Sequence, residues 1–586
     1  MSPSGPTLRI RWLGRTNYDD TLALQHGLLE RGRDDWLLLC EHHDVYTLGR
    51  RTDPANLLTG VTTSGAAVVS VDRGGDVTYH GPGQLVGYPI RTLPTRNGRR
   101  VEDGGVVDTR EWVDQIEQLL IDALVQLGLG DVGRVPNCPG VWVAPESLRP
   151  RKIAAIGVRI SRGRSMHGFA LNVDPDMSMF ANIVPCGIAD RPVTSLAAEG
   201  LDVEMRRVVD VVASLAAQRW AVGECERADV VWRVRSEDLS AFTRGEGPGA
   251  PVAPDEHRQT AAHSHQGSVT VALGSRPDAT ARRRRRLDEA GVANTVPLGE
   301  RKPEWLRAPV VMGDAYRDLR RRLRELDLVT VCEEAGCPNI YDCWADGTAT
   351  FMINGERCTR ACGFCLVDTR LPTAPDRMEP ERVAEAVDQL GLSFAVVTAV
   401  ARDDLADGGA EQFASTIAAI RRRTPGVAVE VLIPDCKGDP DALTTIFAAA
   451  PDVLNHNIET VARLQRAVRP SASYVRSLAV LARAGAAGLT TKSGIIVGLG
   501  ETDDEVVATL ADLAGVGVDI VTIGQYLRPT TNHLPVARWV PPATFEEYAR
   551  AGEALGIGHV EASPLTRSSY HARQAADRVV PVTLGS

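Results

Sequence analysis

The chain has 586 residues, 44% hydrophobic and 24% charged, enough apolar material for several cores and too much for a disordered protein. Net charge is −10, from 65 basic against 75 acidic residues, which argues against nucleic acid or anionic membrane as a general partner. The longest uncharged stretch, Pro54 to Val71, is diluted by Gly, Ser, Thr and Asn and does not resemble the roughly 20 apolar residues of a spanning helix. The opening MSPSGPTLRIRW lacks the charged-then-apolar pattern of a signal peptide, so a cytoplasmic protein is expected.

Residues 1–235 read as one globular unit. Val106 to Leu127 carries apolar side chains at helical spacing, at Val113, Ile116, Leu119, Leu120, Ala123 and Leu127. Lys152 to Ile160 and His167 to Val173 are β-rich and joined by SRGRS, which predicts a hairpin, and Val231 to Val234 closes the unit. Residues 236–299 shift to Gly, Pro, Ser, His, Ala and Arg, with RRRRR at 282–286, and are expected to be a flexible linker. A coil of about 60 residues spans roughly 40 Å, which would leave the two flanking parts tethered but independent.

Residues 300–586 alternate. Strands are predicted near Phe394–Thr398, Ala428–Ile433, Val453–Asn455, Gly494–Val497 and Asp519–Ile523. Helices are predicted between them near Glu381–Leu390, Glu411–Arg422, Asp503–Leu513 and Phe545–Leu555. That pattern predicts an α/β fold with a parallel sheet, open or closed into a barrel. The segments ARDDLADGGA, NHNIET, GLGE and QYLRP follow strands, the position of the active face in barrels.

Eleven cysteines are too few for a disulfide scaffold in a chain this long, and six of them crowd between Cys332 and Cys365. Clustered thiols in a cytosolic setting point to a metal site. Cys40, Cys138, Cys225 and Cys436 read as structural bystanders. Cys186, in IVPCGI between Pro and Gly, falls on a predicted loop, where a thiol beside a cation can be nucleophilic. Lys152, in RKIAAIG, precedes an apolar run that would partly desolvate its ammonium group and let it exchange a proton.

The string RGGDVTYHGPGQLVGYPI at 73–90 and HGFALNV at 167–173 closely resemble the octanoyltransferase family of lipoyl cofactor synthesis, over residues 1–235. The resemblance implies a mixed-sheet domain like the catalytic domain of biotin and lipoate protein ligases. It makes Cys186 the acyl-accepting nucleophile and Lys152 the residue that lowers its pKa. It places Arg73, Gly74, Gly75, Asp76, Val77, Thr78, Tyr79 and His80, with Ala155, Ile156 and Gly157 and with Gly168, Phe169 and Ala170, around the acyl chain. The implied donor is octanoyl-acyl carrier protein. The implied acceptors are the lipoyl domains of 2-oxoacid dehydrogenases and the glycine-cleavage H protein. Passing an acyl group from one thioester to another is nearly isoenergetic, and an amine can then take it irreversibly.

Cys358-x3-Cys362-x2-Cys365 offers three thiolates within eight residues, and Cys332-x4-Cys337-x5-Cys343 lies just upstream. A structural zinc site generally wants four ligands, whereas three cysteines on a four-iron cluster leave one iron open for substrate; spacing alone favours iron–sulfur and leaves zinc possible. On the zinc reading the chain would be a nucleic-acid binder with 282–286 as its basic arm, and a colourless rather than a brown protein would identify it. The CxxxCxxC motif resembles the radical S-adenosylmethionine enzymes. With CEEAGCPNIYDC, ERKPEWL, RDDLADGGA, TKSGIIVGLGE and RSSYHA, the chain from about Glu300 onward resembles lipoyl synthase, a partial (β/α) barrel. That resemblance implies S-adenosylmethionine, an electron donor of ferredoxin or flavodoxin type and two [4Fe-4S] clusters. One is held by Cys358, Cys362 and Cys365, and an auxiliary one by Cys332, Cys337, Cys343 and Ser569. Together the resemblances imply a bifunctional acyltransferase and sulfurtransferase.

Overall fold

Long runs of fully buried residues in the first part mark strands covered on both faces. The computed structural model describes residues 5–58, 60–184, 191–230, 279–292, 295–297, 299–307, 321 and 348–579. The first part contributes β1 (Leu8–Thr16), β2 (Asp35–His42), β3 (Val45–Leu48), β4 (Ala67–Ser70), β5 (Thr78–His80) and β6 (Gln84–Ile90). These are followed by β7 (Val132–Val135), β8 (Cys138–Val143), β9 (Arg151–Ser161), β10 (Arg164–Asn172) and β11 (Cys225–Arg227). The main sheet runs β11-β1-β2-β6-β10-β9-β8-β7, with β1 parallel to β2 and β11 and the remaining pairs antiparallel; β4-β3-β5 form a small second sheet. This is the expected mixed sheet.

Its helices are α1 (Tyr18–Arg31), α2 (Thr109–Leu127) and α3 (Met205–Trp220). The predicted helix begins at Thr109 rather than Val106 because Asp108 caps it, its carboxylate accepting from the Arg110 and Glu111 amides. The predicted hairpin is β9–β10, turning at Arg162 (φ 49°) and Gly163 (φ 80°), a left-handed pair that suits a two-residue turn. The run Val231–Val234 lies outside the described residues.

The segment read as linker ends in a helix, α4 (Ala279–Glu289), so the expectation of a flexible coil fails there. Leu287, Ala290 and Val292 are buried among residues of the second part, and Arg463 bonds the Ala290 carbonyl. An arginine-rich run has good helix propensity, and the apolar residues behind it supply the anchor.

The second part is an open sheet of seven parallel strands in chain order. They are β12 (Thr348–Ile353), β13 (Phe394–Ala399), β14 (Ala428–Leu432), β15 (Val453–Asn455), β16 (Thr490–Val497), β17 (Ile520–Gln525) and β18 (His559–Ala562). Helices α5 (Glu379–Gln389), α6 (Ala410–Arg423), α7 (Pro440–Ala448), α8 (Tyr474–Ala486), α9 (Asp503–Gly515) and α10 (Pro542–Ala554) connect them. The predicted strands and helices are all present, with bounds that agree to within a few residues. Two further strands and helices α7 and α8 complete the alternation. Among the described residues no helix is long and apolar enough to cross a membrane.

The two parts are not independent. α1 lies along α8, and Leu24, Leu28 and Trp36 share one core with Tyr474, Leu478, Leu481 and Val516. Gly27 allows the close approach, since a Cβ there would sit 2.9 Å from the Ala482 methyl. Arg11 Nε donates to Asp512 Oδ1 at 2.8 Å, with the two side chains only 2% and 7% exposed. Tyr474 Oη donates to the other Asp512 oxygen at 2.9 Å, and Arg11 Nη2 reaches Glu226 at 2.9 Å. Removing one partner from such a pair strands the other charge in low dielectric. Arg11→Ala is therefore expected to destabilise the docked chain by about 3 kcal/mol. Scanning calorimetry of the full chain reads this as a lowered first transition, and an unchanged thermogram would refute it.

Candidate active sites

The first site forms where the loop after β4 lies on the β9–β10 hairpin. In the hairpin Gly157 faces Gly168, Ile156 faces Phe169 and Ala155 faces Ala170. The Gly74 amide donates to Val158 O at 3.1 Å, so residues 73–75 lie against β9. Small residues are required in these layers. A Cβ on Gly157 would meet Gly74 O at 2.9 Å, and one on Gly168 would meet Gly87 O at 2.1 Å. Arg73 is buried and donates through Nη2 to the Thr47 carbonyl and hydroxyl, both at 2.8 Å, which fixes the loop to β3.

The resulting narrow cavity, about 50 Å³, is lined by Arg73, Gly74, Gly75, Asp76, Thr78, His80, Ala155, Ile156, Gly157, Gly168, Phe169 and Ala170. Twelve of the fourteen expected acyl-pocket residues are thus brought together. Val77 and Tyr79 are not among them. Successive side chains alternate across an extended strand, so both turn away into a separate cluster with Tyr46 and Phe180, where Tyr79 Oη bonds Asp44 at 2.6 Å.

Tyr18, Val86, Tyr88 and His167 also line the cavity and were not singled out as site residues from sequence. Tyr18 comes from α1, far away in the chain, and carried no local signal. His167 offered one, in its His–Gly pair. It has φ 55° within β10, and its Nε2 donates to Asp72 at 2.8 Å. Lys152 is buried at the start of β9, its Nζ 5.1 Å from the Trp142 ring centroid. Cys186 lies outside the described residues, but the chain on either side of it is tied down. The Val184 amide donates to Asn56 O, and Asn56 bonds Asp76 of the pocket. On the other side Lys152 N donates to Pro192 O and Thr194 N to Lys152 O, each at 2.9 Å.

The second site sits at the β12–β18 sheet. Cys358, Cys362 and Cys365 line a cavity of about 630 Å³, and Ser569 lies on its wall. The loop is pinned by its backbone: Cys358 N donates to Asp368 O at 2.8 Å, Thr359 N to Ala401 O at 3.0 Å and Gly363 N to Val468 O at 2.8 Å. Burial pushes the Cys362 thiol up and the Cys365 thiol up to about 12, a bias that coordination to iron would overcome. Among the described residues no three His, Cys, Asp or Glu side chains converge on a single metal ion. Three thiols around a large cavity fit a multi-iron cluster better than zinc. Asn455 Oδ1 and Asn457 Oδ1 are buried on the same wall without hydrogen-bond partners, which fits a polar ligand beside that cluster. Below them Lys492 and Glu430 form a fully buried pair at 3.0 Å. Cys332, Cys337 and Cys343 lie outside the described residues. Cys436 is buried after β14, consistent with a bystander.

Comparison with known proteins separates the same two parts. The Lipoyl protein ligase A/B catalytic domain matches residues 17–216. The N-terminal domain of lipoyl synthase of the radical SAM family matches residues 280–337, and the Radical SAM superfamily matches 352–513. A lipoyl synthase of Rubrobacter xylanophilus is 56% identical over 287 residues, 49% of this chain and 89% of that protein. One of Mycobacterium avium is 53% identical over 296 residues, 50% of this chain and 96% of that protein. Among solved structures, lipoate-protein ligase A bound with ATP aligns over 41% of this chain and 93% of its own, at 15% identity and TM-score 0.32.

Two histidines of the first site and His42, packed behind His80, are held neutral by burial: His42 and His167 are lowered to about 4 and His80 to about 3. Their unfolded counterparts titrate near 6.5, so between about pH 4 and 6.5 the unfolded state binds more protons. Stability therefore rises with pH across that window and is lost on acidification, by up to about 1.4 kcal/mol per pH unit for each histidine. His42, which bonds Thr16 O and Tyr88 Oη, is the clearest test. His42→Gln is expected to flatten the pH dependence of the urea midpoint between pH 4.5 and 6.5. An equal slope in the variant would remove His42 from this role.

Proposed function

The chain belongs to the lipoyl synthase family, and on that premise, with a lipoyl protein ligase-type catalytic domain ahead of the synthase part, we propose that one polypeptide carries out both steps of lipoyl group assembly. The first step moves an octanoyl group from its acyl carrier protein to a lysine of a lipoyl domain. The second inserts two sulfur atoms into the bound octanoyl chain. The transferase part spans about residues 1–235, and the synthase part starts with α4, inside the segment first read as linker.

In the transferase site the Cys186 thiolate attacks the thioester carbonyl and the carrier thiol leaves. The lysine amine of the acceptor domain then attacks the enzyme-bound thioester, forming the amide and returning the thiol. Lys152 stabilises the thiolate as a neighbouring cation and passes the proton. This reading is supported by the tethering of the chain around Cys186 to Lys152 on one side and to the pocket residue Asp76, through Asn56, on the other. The acyl chain lies between the 73–75 loop and the β9–β10 hairpin, where glycines leave only backbone and exclude water.

Membership of the family implies S-adenosylmethionine and [4Fe-4S] clusters. We assign two. Cys358, Cys362 and Cys365 hold the reducing cluster, and Cys332, Cys337, Cys343 and Ser569 hold the auxiliary one. Bound there, the clusters and S-adenosylmethionine supply reducing and radical chemistry and the sulfur. Asn455 and Asn457 orient polar groups of the cofactor, and the backbone bonds of the 358–365 loop hold the thiols in register. A serine oxygen is a harder ligand than a thiolate, so Ser569 would hold iron less firmly than the three cysteines would. The partners are an octanoyl-carrier protein, lipoyl domains and a low-potential electron donor, and the setting is the cytoplasm.

The observation that carries this reading is the pairing, in one chain, of the glycine-layered acyl pocket with the three-thiol cavity. Cys186→Ala is expected to lower octanoyl transfer by a thousandfold or more, on the order seen when a nucleophile is removed. Sulfur insertion into a pre-octanoylated lipoyl domain should persist. Cys358→Ala should do the reverse. Intact-mass spectrometry of the lipoyl domain reads both steps, and loss of both activities in folded Cys186→Ala would overturn the division.

A further inference from the structure

Arg360 occupies the middle of the cysteine loop, between Cys358 and Cys362, and its own amide lies 3.4 Å from Cys358 Sγ. Its guanidinium is buried and donates to both oxygens of Asp403 at 2.8 Å and to Asp435 Oδ1 at 2.6 Å. Asp435 is wholly buried. Its Oδ1 is committed to Arg360 and to the Lys437 amide, while Oδ2 makes no hydrogen bond. The charge facing that oxygen is Arg476 Nη1 of α8, at 3.9 Å.

Arg476 is in turn held from the other catalytic part. Asp20, on the first turn of α1 and 4% exposed, accepts from Arg476 Nε at 3.2 Å and from Arg483 Nη1 at 3.4 Å. A carboxylate at this depth is stable only when paired, and each link of the chain is the counter-charge of the next. The series Asp20–Arg476–Asp435–Arg360 therefore crosses from the transferase part to the loop that carries the cluster thiols. On the transferase side it begins two residues from Tyr18, which lines the acyl cavity and stacks on His80 at 6.1 Å.

We propose that Asp20 is a positioning residue for the synthase site: by fixing Arg476 against Asp435 it holds Arg360, and with it the cysteine loop, in the arrangement that receives the reducing cluster. The inference rests on the assignment of Cys358, Cys362 and Cys365 to that cluster. It makes the transferase part a structural component of the synthase site, not merely a neighbour on a tether.

The test uses the full chain with Asp20→Asn, Asp20→Glu and Arg31→Ala. Arg31 bonds the Gly485 and Gly517 carbonyls across the same interface but belongs to no link of the series, so its loss loosens docking alone. In metal-free protein, iodoacetamide labelling of Cys358, Cys362 and Cys365, mapped by peptide mass spectrometry, should quicken at least threefold in Asp20→Asn. Labelling should return towards the original rate in Asp20→Glu and stay unchanged in Arg31→Ala. In reconstituted protein the electron paramagnetic resonance signal of the reduced cluster with S-adenosylmethionine should change only in Asp20→Asn. Unaltered labelling and signal in Asp20→Asn, or the same change in Arg31→Ala, would overturn the proposal. Failure of the unmutated chain to take up iron would instead count against the cluster assignment, and the labelling arm would still decide the positioning role.

Discussion

Arg11 and Asp512 come from different catalytic parts and meet away from water, where each charge depends on the other. At the same interface α1 approaches α8 closely, at Gly27 and Ala482. Apolar packing would allow α1 to slide along α8 with little penalty, whereas a buried ion pair with a tyrosine hydroxyl on one carboxylate oxygen tolerates few registers. The relative position of the two parts is thereby fixed by side-chain chemistry.

This docking changes what joining the two parts in one chain accomplishes. Two domains on a coil of tens of residues gain only a modest effective concentration for a shared substrate. Two domains in one core keep a constant geometry, and their buried charges become shared. α1 illustrates the consequence, since it presents Tyr18 to the acyl cavity and Asp20 to the arginines of α8 within one helical turn.

The two cavities are built differently. The smaller cavity is walled by layers of backbone and by His80 and His167, which burial keeps neutral. The cavity at the parallel sheet is larger, with buried amide oxygens and thiols on its wall.

Much of this was legible in the residue order. β-rich runs marked β9 and β10, and apolar residues at helical spacing marked α2, because these signals lie along a local stretch of chain. The glycine strings and the CxxxCxxC spacing marked both sites, since a close backbone approach and a three-thiol loop each need particular residues at short separation. Val77 and Tyr79 pack in a separate cluster, a placement that the contiguous motif hides because it does not display the alternation of a strand. α4 was hidden by a composition that suits a coil equally well until Leu287 and Val292 find a surface to cover. Tyr18 and the ionic series from Asp20 to Arg360 were invisible, since the series joins residues tens to hundreds of positions apart that look like ordinary surface charges in sequence. Chemistry that depends on neighbours in the chain was written in the sequence. The register of one catalytic part on the other was decided only in the folded chain, where burial turned scattered charges into obligatory partners.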